Sequence, residues 1–333
     1  MSKKLEGKIA VITGGTEGWM PMKKYKIAVL DDYQNVALES ADWSVLHDRA
    51  DIAVFQDHVA DPDAVIERLL PFGVVCVMRE RTPLPREVIE RLPNLKLIAS
   101  TGPGNASIDV AAAGDHGIAV VHTGYRSDPT IELTWALILA SARHIVTESN
   151  SVRSGGWQQT VGTDLREKTL GVLGLGRIGS QVARIGSAFG MNLLAWSQNM
   201  TPEAAQAAGA ILVSKDQLFE RADILTVHLV LSNRTRGLVG TAELDKMKRT
   251  AWLINTSRGP IVEEPALISV LKNKRIAGAA IDVFDIEPLP PDHPFRTLDN
   301  VLATPHIGYV SRGLYKTLYE DTVSNIRRWL DTH

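Results

Sequence analysis

Residues 169–196 read TLGVLGLGRIGSQVARIGSAFGMNLLAW. An apolar run from Thr169 to Leu173 meets Gly174-Leu175-Gly176-Arg177-Ile178-Gly179, and the turn passes into QVARIGSAFG, whose apolar residues recur at helical spacing. A second apolar run, NLLAW at 192–196, follows. Strand, G-x-G-x-x-G turn, helix and strand in that order form the pattern of a dinucleotide-binding unit. Gly174 allows the tight turn, Gly176 lets backbone approach a pyrophosphate, and Gly179 permits close helix–strand contact. Free amides at the helix start then face the anion. A merely structural glycine turn would not need the flanking strand, helix and strand, so the context carries the reading. At the end of the next strand, an NAD-selective site often has an acidic residue; here stand Ser197, Gln198 and Asn199. A carboxylate that would repel a 2′-phosphate is missing, and the hydroxyl and amides can donate to one. Between Ser180 and Ser214 the lone basic residue is Arg184, inside the helix. The segment predicts a site for NAD or NADP with weak discrimination.

IAVL (27–30), VVCVM (74–78), LKLIAS (95–100) and IAVVH (118–122) read as buried strands. DPDAVIERLL and LPREVIERLP between them have helical spacing. A long helix is expected from Asp128-Pro129, with Asp as N-cap and Pro at the first helical position. Its stripe is Ile131, Trp135, Ile138, Leu139, Ala142 and Ile145, and Gly155-Gly156 end it. Beyond NLLAW come DILTVHL, AWLINTS, AGAAIDVF and NVLATPH. Strands alternating with helices predict an α/β fold of two doubly wound, parallel-sheet domains. Residues 6–18, EGKIAVITGGTEG, imitate the start of a short-chain dehydrogenase, but Trp19-Met20-Pro21 interrupt the required helix. None of the six tyrosines has a Lys four residues later, as that family's active site requires. Residues 1–21 are therefore expected to be an appended, non-native segment.

A chain of 333 residues suits two domains. Lys and Arg number 36 against 38 Asp and Glu, so no basic excess supports nucleic-acid binding. A single cysteine, Cys76, makes neither an internal disulfide nor a thiolate metal site. No apolar run reaches the roughly 18 residues of a membrane span. No HExxH or clustered acidic spacing suggests a metal. The expectation is a cytoplasmic enzyme.

Three further segments each follow a strand of the second series: Asn255-Thr256-Ser257-Arg258-Gly259, Asp282 to Glu287, and Pro305-His306-Ile307-Gly308. Ligands in such folds bind outside the carboxyl ends of strands. An Arg holds a carboxylate with two parallel hydrogen bonds, a His exchanges a proton near neutral pH, and a Glu orients the His. Taken singly, Arg258 reads as a surface ion pair, Glu287 as a turn residue and His306 as a structural histidine. Their joint placement favours catalysis. His122 and His228, at strand ends, are secondary candidates.

These segments resemble the D-isomer-specific 2-hydroxyacid dehydrogenases over 24–331. The resemblance rests on GLGRIG (174–179), HLVLSNRTRGLVG (228–240), INTSRG (254–259), AAIDVFDIEP (279–288) and TPHIGY (304–309). It implies a flavodoxin-like substrate domain from 22–122 and 306–333, with a Rossmann cofactor domain at 123–305 inserted into it. By motif, Arg258 would bind the substrate carboxylate and carbonyl, Glu287 would pair with His306, and His306 would be the general acid. Gly174, Gly176, Arg177 and Ile178 would line the pyrophosphate, and Thr256 and Asp282 would sit near the nicotinamide. Thr101-Gly102-Pro103-Gly104-Asn105 corresponds to the family's backbone clamp for the carboxylate, although Pro103 removes one donor. Arg79 and Arg81, after VVCVM, stand where phosphoglycerate dehydrogenases contact a substrate phosphate; a surface Arg-Glu-Arg set is the plain alternative. The implied activity is reversible hydride transfer between NAD(P)H and a 2-oxo acid, giving a D-2-hydroxy acid, in a homodimer. A nucleotide-sensing corepressor of the same fold is the other function class this resemblance allows.

Overall fold

Apolar runs without polar alternation suit parallel strands covered on both faces, and such runs build both sheets of this protein. The computed structural model describes residues 24–333, and the segment expected to be appended, 1–21, lies outside them. The chain divides into two compact units, residues through Thr123 together with Tyr319–His333, and Gly124–Leu318. The return to the first unit thus falls inside the helix Arg312–Leu330, at Tyr319 rather than at residue 306.

The first unit holds β1 (Tyr25–Val29), β2 (Ala50–Val54), β3 (Val74–Val77), β4 (Leu97–Ser100) and β5 (Ala119–His122). All pair in parallel, in the order β2-β1-β3-β4-β5. This is the flavodoxin-like order, with its switch point between β1 and β3. β3 and β4 are buried throughout, whereas β2 lies at the edge and is mostly half-exposed. Its weak apolar signal is why the sequence did not announce it.

The second unit holds β6 (Thr169–Leu173), β7 (Asn192–Trp196), β8 (Ile211–Leu212), β9 (Ile224–Val227), β10 (Trp252–Asn255), β11 (Gly278–Ile281) and β12 (Val301–Ala303). Their order is β12-β11-β10-β9-β6-β7-β8, again all parallel. Alternate residues feed the two faces. Leu173, Leu225, Leu253 and Ile281 join one core, while Val172, Ile224, Ile254 and Ala280 join the other. The chain reverses its strand order between β6 and β9, and the glycine turn leaves β6 at that point.

The single long helix expected from Asp128 is two helices, Asp128–Ala142 and Ile145–Arg153. His144 between them adopts a left-handed φ of 50°, which an α-helix does not continue through. Ile131, Trp135, Ile138 and Ala142 are buried as expected, but Leu139 and Ile145 are exposed. Ser127, not Asp128, holds the N-cap position, and the Asp128 carboxylate accepts from Arg126 Nε at 3.0 Å.

Candidate active site

The turn after β6 gives each glycine a separate task. Gly174 has φ 100°, its N–H donates to Trp196 O at 2.8 Å, and a Cβ there would stand 2.5 Å from His228 O. Gly179 lies directly against Gly174 O, so only hydrogen fits between helix and turn. At Gly176 no atom lies within 4 Å of the place a Cβ would take, so the backbone faces open space. Gly176 is the N-cap of the helix Arg177–Ala188 and makes no side-chain cap. The first helical amides, beginning at the exposed Arg177 and half-buried Ile178, therefore point outward without a side-chain acceptor.

Ser197 ends β7. Its Oγ accepts from Leu175 N–H at 3.1 Å, tying the turn to the next strand. Beside it opens a cavity of about 490 Å³, bounded by Ser197, Gln198 and Asn199 on one side and by Leu229, Val230 and Arg234 on another. Together with the open Gly176 backbone and the uncapped helix start, this space fits the pyrophosphate and adenosine end of a dinucleotide. The sequence reading missed Arg234, because it sought a cation only between Ser180 and Ser214. Arg234 lies in the loop after β9, which lines the same cavity.

His228 follows β9. Its Nε2 lies 2.9 Å from Thr226 Oγ1, and burial pushes its imidazole down to about 3. It is a neutral residue here, not an acid–base catalyst at neutral pH.

β10, β11 and β12 are adjacent, with Asn255 opposite Ile281 and Ile281 opposite Ala303. The loops leaving them therefore emerge side by side from one sheet edge, at strand spacing of roughly 5 Å. In the first, Asn255 Oδ1 accepts from Ser257 N–H at 3.0 Å and its Nδ2 donates to Arg258 O at 3.1 Å. Ser257 Oγ donates to Val227 O at 2.7 Å, and Arg258 Nη1 donates to Ser257 O at 2.8 Å. Thr134 Oγ1 donates to Thr130 O and so accepts from Thr256 Oγ1, 2.9 Å away. Gly259 is pressed against the Phe284–Asp285 backbone, where any Cβ would collide. That glycine lets the arginine loop lie on the loop that carries Glu287.

Asp282 is fully buried. Its Oδ1 accepts from Thr304 Oγ1 at 2.6 Å and Ile307 N–H at 2.9 Å, and its Oδ2 accepts from Gly308 N–H at 2.8 Å. Burial raises its carboxyl above the usual range, opposed by these hydrogen bonds and by His306. Both oxygens are thus engaged with residues 304–308, so Asp282 holds the histidine loop. His306 takes a left-handed φ of 52° within that loop. Its Nδ1 lies 2.5 Å from Glu287 Oε2, while Glu287 Oε1 accepts from Phe284 N–H at 2.9 Å. Carboxylate at Nδ1 fixes a proton there and leaves Nε2 for a substrate. The two side chains stay 26% and 33% exposed, open to a ligand.

In the first unit, Arg79 is turned onto its own neighbours. Its N–H donates to Thr101 Oγ1 at 2.8 Å, its Nη1 to Thr101 O at 3.2 Å, and a Cβ on Gly102 would collide with its guanidinium. Gly102 has φ 85°, and its N–H donates to Thr123 Oγ1 at 2.7 Å. Gly104 is exposed, with open space where a Cβ would stand. Arg81 donates to Asp31 O at 2.6 Å and lies over the Tyr33 ring at 4.4 Å. Among the described residues, no group of three or more His, Cys, Asp and Glu is placed to hold a metal ion. No helix among them is long and apolar enough to cross a membrane.

A helix start shaped for a pyrophosphate and a carboxylate-held imidazole at the same edge of one sheet define a dinucleotide-dependent dehydrogenase. Comparison with known proteins places it. The D-isomer specific 2-hydroxyacid dehydrogenase NAD binding domain matches residues 135–308, more than half the chain. Glyoxylate reductase of Aeropyrum pernix is 43% identical over 236 residues, 68% of this chain and 70% of that protein. D-3-phosphoglycerate dehydrogenase of Methanocaldococcus jannaschii is 42% identical over 238 residues, 70% of this chain but 45% of that longer one. A solved structure of phosphoglycerate oxidoreductase from Vibrio cholerae O395 matches with a TM-score of 0.88 at 38% identity, over 93% of this chain and 100% of that. The chain belongs to the D-isomer specific 2-hydroxyacid dehydrogenase family, and its second unit is a Rossmann domain for a nicotinamide cofactor.

Proposed function

We propose that this protein reduces a small 2-oxo acid to the D-2-hydroxy acid with NADH or NADPH, and runs the reverse oxidation. The observation that carries the reading is His306, on the loop after β12, held through Nδ1 by Glu287 on the loop after the adjacent β11, which in turn neighbours β10, whose loop carries Arg258. A reduced nicotinamide, when bound, would supply the hydride that C2 of the oxo acid accepts. Arg258 binds the substrate carboxylate and stabilises the negative charge that builds on the carbonyl oxygen. His306 delivers its Nε2 proton to that oxygen, and Glu287 stabilises the imidazolium beforehand. In oxidation His306 takes the hydroxyl proton instead. Gly174, Gly176, Arg177, Ile178 and Gly179 would hold the pyrophosphate, Ser197 and Gln198 would face the adenosine ribose, and His228, Thr256 and Asp282 would shape the nicotinamide side.

Thr101, Gly102 and Gly104 belong to the first unit's substrate loop, where the Gly102 amide is already engaged and Gly104 is the candidate donor. Arg79 and Arg81 are assigned to acidic substrate tails, but their guanidinium contacts with Thr101 O and Asp31 O favour a short 2-oxo acid without a second charged group, such as glyoxylate. A homodimer in the cytoplasm completes the proposal. It is supported by exposed apolar residues on one stretch of the second unit: Ile145, Val146, Val152, Trp157 (73%) and Val161 (93%). The test is turnover of glyoxylate, pyruvate, hydroxypyruvate and a phosphorylated 2-oxo acid with each reduced cofactor, with chiral analysis of the products of the last three, since glycolate has no stereocentre. Formation of the L-isomer, or no turnover of any of them, overturns the reading.

A further inference from the structure

We propose that Arg234 is the cation that meets the 2′-phosphate of NADPH, giving the protein a preference for that cofactor; the assignment rests on the dehydrogenase reading above and narrows its cofactor. In a βαβ dinucleotide unit the adenosine ribose hydroxyls lie at the end of the second strand, which here is Ser197. The cavity beside Ser197 is lined by no Asp or Glu, and Arg234 is its single charged residue. The guanidinium is exposed and pairs with no carboxylate among the described residues.

Its position is set by a tight turn. Thr235 Oγ1 accepts from Ser232 N–H at 2.8 Å and donates to Val230 O at 2.7 Å, while Thr235 N–H and Arg236 N–H both donate to Ser232 O. The backbone on either side of Arg234 is thereby fixed, so little loop ordering opposes ligand binding. Across the cavity, Ser197 Oγ already accepts from Leu175 N–H, which leaves its own hydrogen to donate outward. A phosphate carrying about -1.5 to -2 charges would thus meet a two-pronged cation on one side and hydroxyl and amide donors on the other. NADH offers a hydroxyl there and gains nothing from the guanidinium.

The experiment measures dissociation constants by titration calorimetry for NADPH and NADH, and for 2′,5′-ADP and 5′-AMP, which carry no nicotinamide and report binding alone. Wild-type protein is compared with Arg234→Gln and Arg234→Lys. Wild type should prefer each 2′-phosphorylated ligand, and Arg234→Gln should reduce that preference roughly tenfold to a hundredfold, the worth of a charge-assisted hydrogen bond. Arg234→Lys should retain part of it, keeping the charge without the fork. Equal wild-type affinity for 2′,5′-ADP and 5′-AMP, or a preference that survives in Arg234→Gln, overturns this assignment while leaving the dehydrogenase intact. Failure of both dinucleotides to bind wild type overturns the two together.

Discussion

His306 carries a left-handed backbone, which costs a non-glycine residue on the order of 1 kcal/mol. Three hydrogen bonds from its loop to Asp282 offset that cost and hold the imidazole where Glu287 reaches Nδ1. Replacing the imidazole should therefore remove the proton donor without touching the dinucleotide cradle. His306→Ala is expected to lower kcat by about 10²–10⁴-fold, with cofactor affinity from the same calorimetry nearly unchanged. Near wild-type turnover would remove His306 from the mechanism. Glu287→Gln keeps the shape and loses the charge that stabilises imidazolium. It should lower kcat about tenfold to a hundredfold with little change in KM; a pure KM effect would make Glu287 a substrate contact instead. The placement of Arg258, Glu287 and His306 on neighbouring loops was legible because each follows an apolar strand in a recognisable motif. The placement of Arg234 beside Ser197 was not, since nothing in the linear order says that the loop after β9 returns to the end of β7.

At the scale of elements, the arginine, glutamate and histidine loops behave as one assembly at the edge of β10, β11 and β12. Gly259 lets the first lie against the second, and Asp282 joins the second to the third. The sequence placed Asp282 near the cofactor by resemblance, but gave no hint that both its oxygens serve residues 304–308. Spacing alone does not reveal which backbone amides a buried carboxylate will satisfy. Asp282→Ala would leave the Thr304 hydroxyl and the Ile307 and Gly308 amides without their acceptor, against some relief from losing a buried carboxylate. The expected result is a loss of about 2 kcal/mol in urea unfolding, from roughly 1–3 per orphaned group less that relief. A larger proportional loss should appear in kcat, as His306 is no longer held. Unchanged kcat in a destabilised protein would show that the loop keeps its geometry without the carboxylate.

Over the whole molecule, the two parallel sheets were readable from runs such as VVCVM and DILTVHL, because buried strands need no alternation. The edge strands β2 and β8 and the break at His144 were not, since they depend on partial exposure and on one backbone angle. Fold stability should show one consequence of burial in its pH dependence. The His228 imidazole sits near 3 in the folded protein and near 6.5 in an unfolded chain. Between these values the unfolded chain binds a proton that the folded protein refuses. This contribution is therefore fully present above about pH 6.5 and falls with acidification, by at most about 1.4 kcal/mol per pH unit. His228→Gln removes the titration while keeping an amide near Thr226 Oγ1. Urea unfolding of both proteins at about pH 7 and about pH 5 isolates the term, because the carboxylates common to both cancel in the difference. Wild type should lose about 1–2 kcal/mol more than the variant over that interval. Equal losses would mean that His228 accepts a proton in the folded state, and that the end of β9 is wetter than its burial implies.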